Sequence, residues 1–181
     1  LICSGQVPIE ENCYRCKQVH VECDDGTTDL ALVDAILLKN DQLGSLLPFS
    51  ASNISQIFLA RSEAASVGIS PIGGFILPCG TEDKFGVKLQ CKEDADLQIE
   101  VPISPGLYNT IGIESCNRVS LGERTKVMGP GILAFDGDRE IQLGEKQSVT
   151  VSIRADGPWI IEPKRVMKAA VSLKVFQRRI Q

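Results

Sequence analysis

No run of apolar residues approaches the roughly 20 that cross a bilayer as a helix, and the start of the chain carries neither a basic segment nor a long apolar stretch of the export-signal kind. The chain is therefore expected to be cytoplasmic, with no membrane partner. A single histidine, His20, leaves no Ser-His-Asp set to assemble, and neither the phosphate-binding G-x-x-x-x-G-K-[ST] nor the dinucleotide G-x-G-x-x-G occurs. The compositional marks of disorder or of a fibrous repeat are missing too: 43% hydrophobic and 23% charged residues are ordinary for a globular protein. There is no initiator methionine. The 181 residues begin at Leu1 as if in mid-phrase, and read as a piece lacking an N-terminal portion.

Acidic residues are absent after Glu162, where six basic ones follow (Lys164, Arg165, Lys168, Lys174, Arg178 and Arg179). A basic end suggests nucleic acid, but Pro163 suits a first helical turn and Val166, Met167, Ala170 and Leu173 recur at helical spacing, so the lysines read as the wet face of a C-terminal helix. No nucleic-acid partner is expected. Seven cysteines, an odd number without an export signal, read as reduced thiols. Cys13, Cys16, His20 and Cys23 have the look of zinc ligands. The alternation of Val19, Val21 and Cys23 with Gln18, His20 and Glu22 instead marks a strand that sends His20 and Cys23 to opposite faces, and no second Cys-x-x-Cys exists, so no metal site is assigned.

What the chain does have is sheet sequence. Residues 129–153 alternate apolar and polar through two reversals. Residues 132–135 run into Asp136-Gly137, the dipeptide that tolerates the positive φ angles of a tight hairpin, and residues 139–143 return. A two-residue turn would set Ile132 opposite Ile141. A second reversal at 144–146 leads to Val149, Val151 and Ile153, whose period of two gives one buried face.

Earlier in the chain, residues 1–5 read as the last turn of a helix capped by Gly5, and 18–23 as a strand. Residues 30–39 (LALVDAILLK) form a nearly continuous apolar run around Asp34, a charge that is costly there unless hydrogen-bonded or needed by a ligand. Both accounts of Asp34 stay open. Ser50 or Ser52 is placed to cap a short helix carrying Ile54, Ile57 and Phe58 and ending near 61–65. Strands are expected at 69–77, 86–91, 97–103, 108–113 and 119–121. Gly73-Gly74 within the first of these implies a bulge or a close backbone approach, and the two prolines and glycine of 101–107 a rigid loop at a sheet edge. With sixteen Gly and nine Pro between short runs, the pattern is that of two packed antiparallel sheets.

In order, DLALVDAILL (29–38), SVGISPIGG (66–74), VPISPGLYNTIGI (101–113) and GILAFDGDREIQLGEKQSVTV (131–151) resemble the C-terminal half of the ATP-NAD kinase/AcoX family, and DGPWIIEPKRVMKAA (156–170) resembles its AcoX branch, associated with acetoin-catabolism operons. The resemblance implies a mainly β chain, a two-sheet antiparallel β-sandwich of the NAD kinase C-terminal type with short helices and a C-terminal helix. Residues 1–16 would be the tail of a missing N-terminal α/β domain and 17–181 the nucleotide-binding sandwich. It implies NAD as substrate, oligomerisation into a homodimer or homotetramer, and a ligand site drawn from Asp34, Ser70, Gly73, Gly74, Ser104, Gly106 and Asp136, with no catalytic residue.

Asp34 matches the acidic member of the family's Asn-Glu/Asp pair, with Val33 where the Asn stands, and Gly106 replaces the His of the Thr-Pro-Ile-x-Pro-His-Leu loop. The Thr, Ala and Tyr preceding the family's Gly-Gly are missing; Ser66 and Ser70 are the polar groups there. The Gly-Gly-Asp-Gly-Thr motif that carries the ATP phosphates is absent, so ATP and magnesium would bind through the missing half. The alternatives are a ligand-sensing or interaction β-domain without kinase function, and a lipid kinase of the diacylglycerol type, which shares a similar sandwich and an Asp-Gly hairpin.

Overall fold

A computed structural model describes residues 1–39 and 51–177. A short helix α1 (Ile9–Asn12) precedes strands β1 (Cys13–Arg15), β2 (Gln18–Cys23), β3 (Thr28–Ala31) and β4 (Asp34–Leu38). After a 3-10 turn at Ala51–Asn53 come β5 (Ile54–Leu59), helix α2 (Ser70–Gly74), β6 (Phe85–Cys91), β7 (Leu97–Ser104) and β8 (Leu107–Ser120). The chain continues through β9 (Thr125–Met128), β10 (Gly131–Phe135), β11 (Arg139–Leu143), β12 (Ser148–Arg154), β13 (Trp159–Ile161) and helix α3 (Pro163–Ser172). The architecture is mainly β and antiparallel.

Contacts divide the chain into two units. The larger, Lys17–Ala155, holds a seven-stranded sheet in the order β11-β10-β4-β5-β6-β8-β7 and a four-stranded sheet in the order β3-β2-β12-β9. One core fills the space between them: Val19, Val21, Val149, Val151 and Ile153 meet Ala35, Leu37, Phe58, Leu133 and Phe135. A second core covers the other face of the larger sheet, where Ile36, Leu38, Ile57, Leu59 and Ile132 pack with Ile69 and Ile72. Successive residues of a strand point to opposite faces, so β4 and β5, covered on both, are apolar almost throughout. Lys17 is 2% exposed in this unit, its Nζ donating to the Phe85 carbonyl at 2.7 Å and to Cys79 Sγ at 2.9 Å.

The smaller unit comprises Leu1–Cys16 and Asp156–Gln181. In it β1 pairs with β13, and Val7, Val166 and Ala170 form a small core. The expected C-terminal helix is present. Of its apolar stripe Val166 and Ala170 are buried, whereas Met167 and Leu173 are exposed. Residues 1–5 form a turn with the hydrogen bonds of a glycine C-cap: Gly5, at φ +71°, donates its N–H to the Ile2 carbonyl, and Gln6 donates to the Leu1 carbonyl, as the expected cap at Gly5 requires.

Several expectations are corrected. The helix expected after residue 52 is strand β5, because a run buried on both faces has no period to distinguish strand from helix; Ser50 lies outside the described residues. The strand expected over 69–77 is instead α2, where Ile69 and Ile72 are three apart and Pro71 occupies the first turn. Gly73 and Gly74 therefore serve close approach, not a bulge: a Cβ on Gly73 would lie 2.5 Å from Leu59 Cδ1 and from Ser62 Oγ, and one on Gly74 would strike the Ala64 nitrogen.

In the β10–β11 hairpin Leu133, not Ile132, faces Ile141, because Asp138 is an extra loop residue. The reversal at 144–146 joins no hairpin. It carries the chain from β11 in one sheet to β12 in the other, where β12 pairs with β2 and β9. The strands expected at 108–113 and 119–121 are a single one, β8, which pairs first with β7 and then with β6. The stretch 101–107 is less a loop than a tight turn at Pro105-Gly106, with Gly106 at φ +79°, and β7 is indeed an edge strand. Among the described residues no helix is long and apolar enough to cross a membrane.

Candidate functional site

The site grows from the Asp136-Gly137 turn. Both residues have positive φ, +50° and +76°, a conformation that Asp tolerates and Gly adopts freely. The Asp136 carboxylate is thereby turned back onto the segment that enters β4. Its Oδ2 accepts the Leu32 N–H at 2.7 Å, and its Oδ1 accepts those of Val33 at 2.9 Å and Asp34 at 3.2 Å. The Asp136 N–H donates to the Asp34 carbonyl at 3.1 Å. Three amides around one carboxylate form a small anion nest, which fixes the start of β4 and hence the Cα of Asp34.

Asp34 itself shares the strand face of Ile36 and Leu38, toward the α2 side of the large sheet. It is 8% exposed, and among the described residues its carboxyl oxygens accept no hydrogen bond. Burial, then the charge of Asp136, pushes its pKa up to about 7. A carboxyl this buried without a hydrogen-bond partner among the described residues carries a cost to the fold while it is charged.

What it faces is a cavity of about 350 Å³ lined by Val33, Asp34, Arg61, Glu63, Ser66–Ser70, Ile103, Asp136 and Gly137. The wall opposite β4 is the segment that follows β5. There Ser62 and Cys79 exchange backbone hydrogen bonds at 2.8 and 2.9 Å. The Ser70 hydroxyl, at the start of α2, donates to the Arg61 carbonyl and accepts from the Glu63 N–H, both at 2.9 Å. Ser66 donates to the Glu63 carbonyl at 2.7 Å, and the Gly68 N–H to the Pro102 carbonyl at 3.1 Å, tying this wall to β7. Arg61 and Glu63 approach within 3.9 Å at the opening.

Of the residues singled out in the sequence, Asp34, Ser70 and Asp136 come together around this cavity. Gly73 and Gly74 lie one turn behind Ser70 and shape its back wall through their packing on Leu59 and on residues 62–64. Ser104 and Gly106 sit at the β7–β8 turn and do not line the cavity; Ile103 does. Sequence reasoning missed Arg61 and Glu63, which fell at the end of a segment read as helix. Among the described residues no group of three His, Cys, Asp or Glu is placed to hold a metal ion, and no nucleophile with an adjacent base lines the cavity. The arrangement is suited to binding: a buried acceptor, a cation and an apolar floor.

The chain is 26% identical over 160 residues to Acetoin catabolism protein X of Cupriavidus necator, an alignment covering 84% of this chain and 45% of that protein. The chain thus spans about half the length of the curated relative it matches. Residues 17–156 match the family described as the acetoin catabolism protein X C-terminal domain, a span that coincides with the larger unit, Lys17–Ala155. The chain belongs to the acetoin catabolism protein X C-terminal domain family.

Proposed function

We propose that residues 1–181 are the nucleotide-binding and oligomerising half of an ATP-NAD kinase/AcoX-like protein, with NAD or a related nucleotide held in the cavity between Asp34 and Arg61. In the intact protein the reaction would be transfer of a phosphoryl group from ATP to that nucleotide. Phosphoryl transfer is mostly positioning and neutralisation of phosphate charge, and the part proposed for this chain is positioning of the acceptor. ATP and magnesium would be held outside residues 1–181. One observation carries the reading: the Asp34 carboxyl is buried, lines a cavity of ligand size, and has no hydrogen-bond partner among the described residues. Ribose hydroxyls are the donors it lacks.

A second reading, a ligand-sensing domain without kinase function, is favoured by Val33, an apolar residue lining the cavity where the kinase pattern has Asn. Titration calorimetry of the chain with NAD, NADP and ATP tests the proposal. Binding of NAD without turnover is expected from the chain alone, together with ATP-dependent NADP formation by the intact protein. Binding with no kinase activity in the intact protein would favour the sensor. Absence of nucleotide binding, or NADP formation by residues 1–181 alone, would refute the proposal.

A further inference from the structure

The cavity has a second charged wall, and its geometry narrows what the ligand is. Arg61 has a fixed backbone: its carbonyl is held by the Ser70 hydroxyl, and the next residue is clamped to Cys79 from both sides. Its side chain is one-third exposed and, among the described residues, makes one ionic contact, to Glu63 at 3.9 Å. That is well beyond the 2.7–2.9 Å or so of a charge-assisted hydrogen bond, so the five N–H donors of the guanidinium keep most of their capacity. No ion pair joins Arg61 to Asp34 or Asp136 among the described residues, although all three line the same space. Among the described residues the Glu63 carboxylate has only that same 3.9 Å approach to Arg61, whereas several of the other polar groups are engaged within the protein. Asp136 holds three amides, Ser66 and Ser70 hold the Arg61–Glu63 segment, and the Gly68 N–H is bonded to Pro102.

The cavity therefore presents groups of opposite character with unused capacity: the buried Asp34 carboxyl and the more exposed Glu63 carboxylate, which take donors, and a guanidinium whose planar fork matches phosphate oxygens two at a time. At about 350 Å³ it is near the lower end of small-molecule sites. We infer that Arg61 is a phosphate-reading residue and that the cavity takes a single sugar-phosphate unit, sugar hydroxyls on Asp34 and the attached phosphate on Arg61. This rests on the nucleotide reading of the site and sharpens it: one mononucleotide half of a dinucleotide makes the deciding contacts, and the other half lies outside.

The experiment is calorimetric titration of the 181-residue chain, and of its Arg61→Gln and Arg61→Lys variants, with AMP, adenosine, inorganic phosphate and NAD. AMP should bind the parent about tenfold more tightly than adenosine, equivalent to about 1.4 kcal/mol. Arg61→Gln should erase that difference while leaving adenosine affinity unchanged, and Arg61→Lys should retain part of it. Equal affinities of AMP and adenosine for the parent would overturn the inference, as would an equal loss of both in Arg61→Gln, the mark of a purely structural role. Phosphate binding as tightly as AMP would remove the sugar from the account. Should NAD bind while AMP and adenosine do not, the inference falls and the nucleotide reading stands; should none of the three bind, both fall.

Discussion

Replacing Asp34 with asparagine should stabilise the protein, and by an amount that depends on pH. The side chains are nearly isosteric, and among the described residues the carboxyl oxygens of Asp34 hold no hydrogen bond that the change would break. The cost of the native residue is its charge: burial, then Asp136, raises its pKa from 3.8 to about 7. The folded chain thus keeps a proton that the unfolded chain has released, and stability falls as pH rises from about 4 to about 7, then levels off. A displacement of that size corresponds to about 4 kcal/mol at most. The asparagine variant carries no such cost. Its advantage should be near zero at pH 4 and should reach about 2–4 kcal/mol at pH 8. Urea unfolding across this range measures it directly; with a slope of about 2 kcal/mol per molar, the midpoints should separate by about 1–2 M at pH 8 and converge in acid. Parallel stability profiles for parent and variant between pH 5 and pH 8 would refute the reasoning. The same variant should bind NAD more weakly, since an amide is a poorer acceptor for ribose hydroxyls than an ionised carboxylate.

Asp136→Ala removes the acceptor from the Leu32, Val33 and Asp34 amides and should cost about 2–4 kcal/mol by chemical denaturation, since bonds to a charged acceptor are the stronger kind. Asp136→Asn, which keeps one acceptor oxygen, should recover part of that loss. Gly74→Ala places a Cβ against the backbone of residues 63 and 64, which cannot swing aside as a side chain would. It should cost about 1–3 kcal/mol, and by displacing the cavity wall it should weaken NAD binding in the molecules that remain folded, which calorimetry on the soluble fraction reads.

Strands with one wet face were legible in the sequence. β12 announces itself through Val149, Val151 and Ile153, and β6 and β7 fall within a residue or so of where alternation puts them. Of the elements buried on both sides, β10 was legible through the Asp136-Gly137 turn that follows it, whereas those without such a turn signal were not. β5 has partners on both edges and a core against each face, so its sequence carries no period, and α2 is too short for Ile69 and Ile72 to outweigh the β character around them. Asp34 was conspicuous because a lone charge in LALVDAILL has to be explained, and among the described residues no donor reaches its carboxyl to support the hydrogen-bonded account. The role of Asp136 was half visible. Its turn is local, but its hold on residues 32–34 spans more than a hundred residues and follows from the pairing of β10 with β4. Arg61 had no local signal, since what matters about it is the position of the cavity, which is settled by the Ser62–Cys79 bridge and by α2.

Hydrogen exchange followed by mass spectrometry, with and without saturating NAD, tests the central claim most directly. Nucleotide held between Asp34 and Arg61 should slow exchange in three separated segments, 32–34, 61–70 and 136–137, and leave β2, β9 and β12 unchanged. Asp34→Ala should abolish the protection in all three together while the exchange of the sheet cores stays native. Protection confined to other segments, or none at NAD concentrations that saturate the calorimetric signal, would contradict the account.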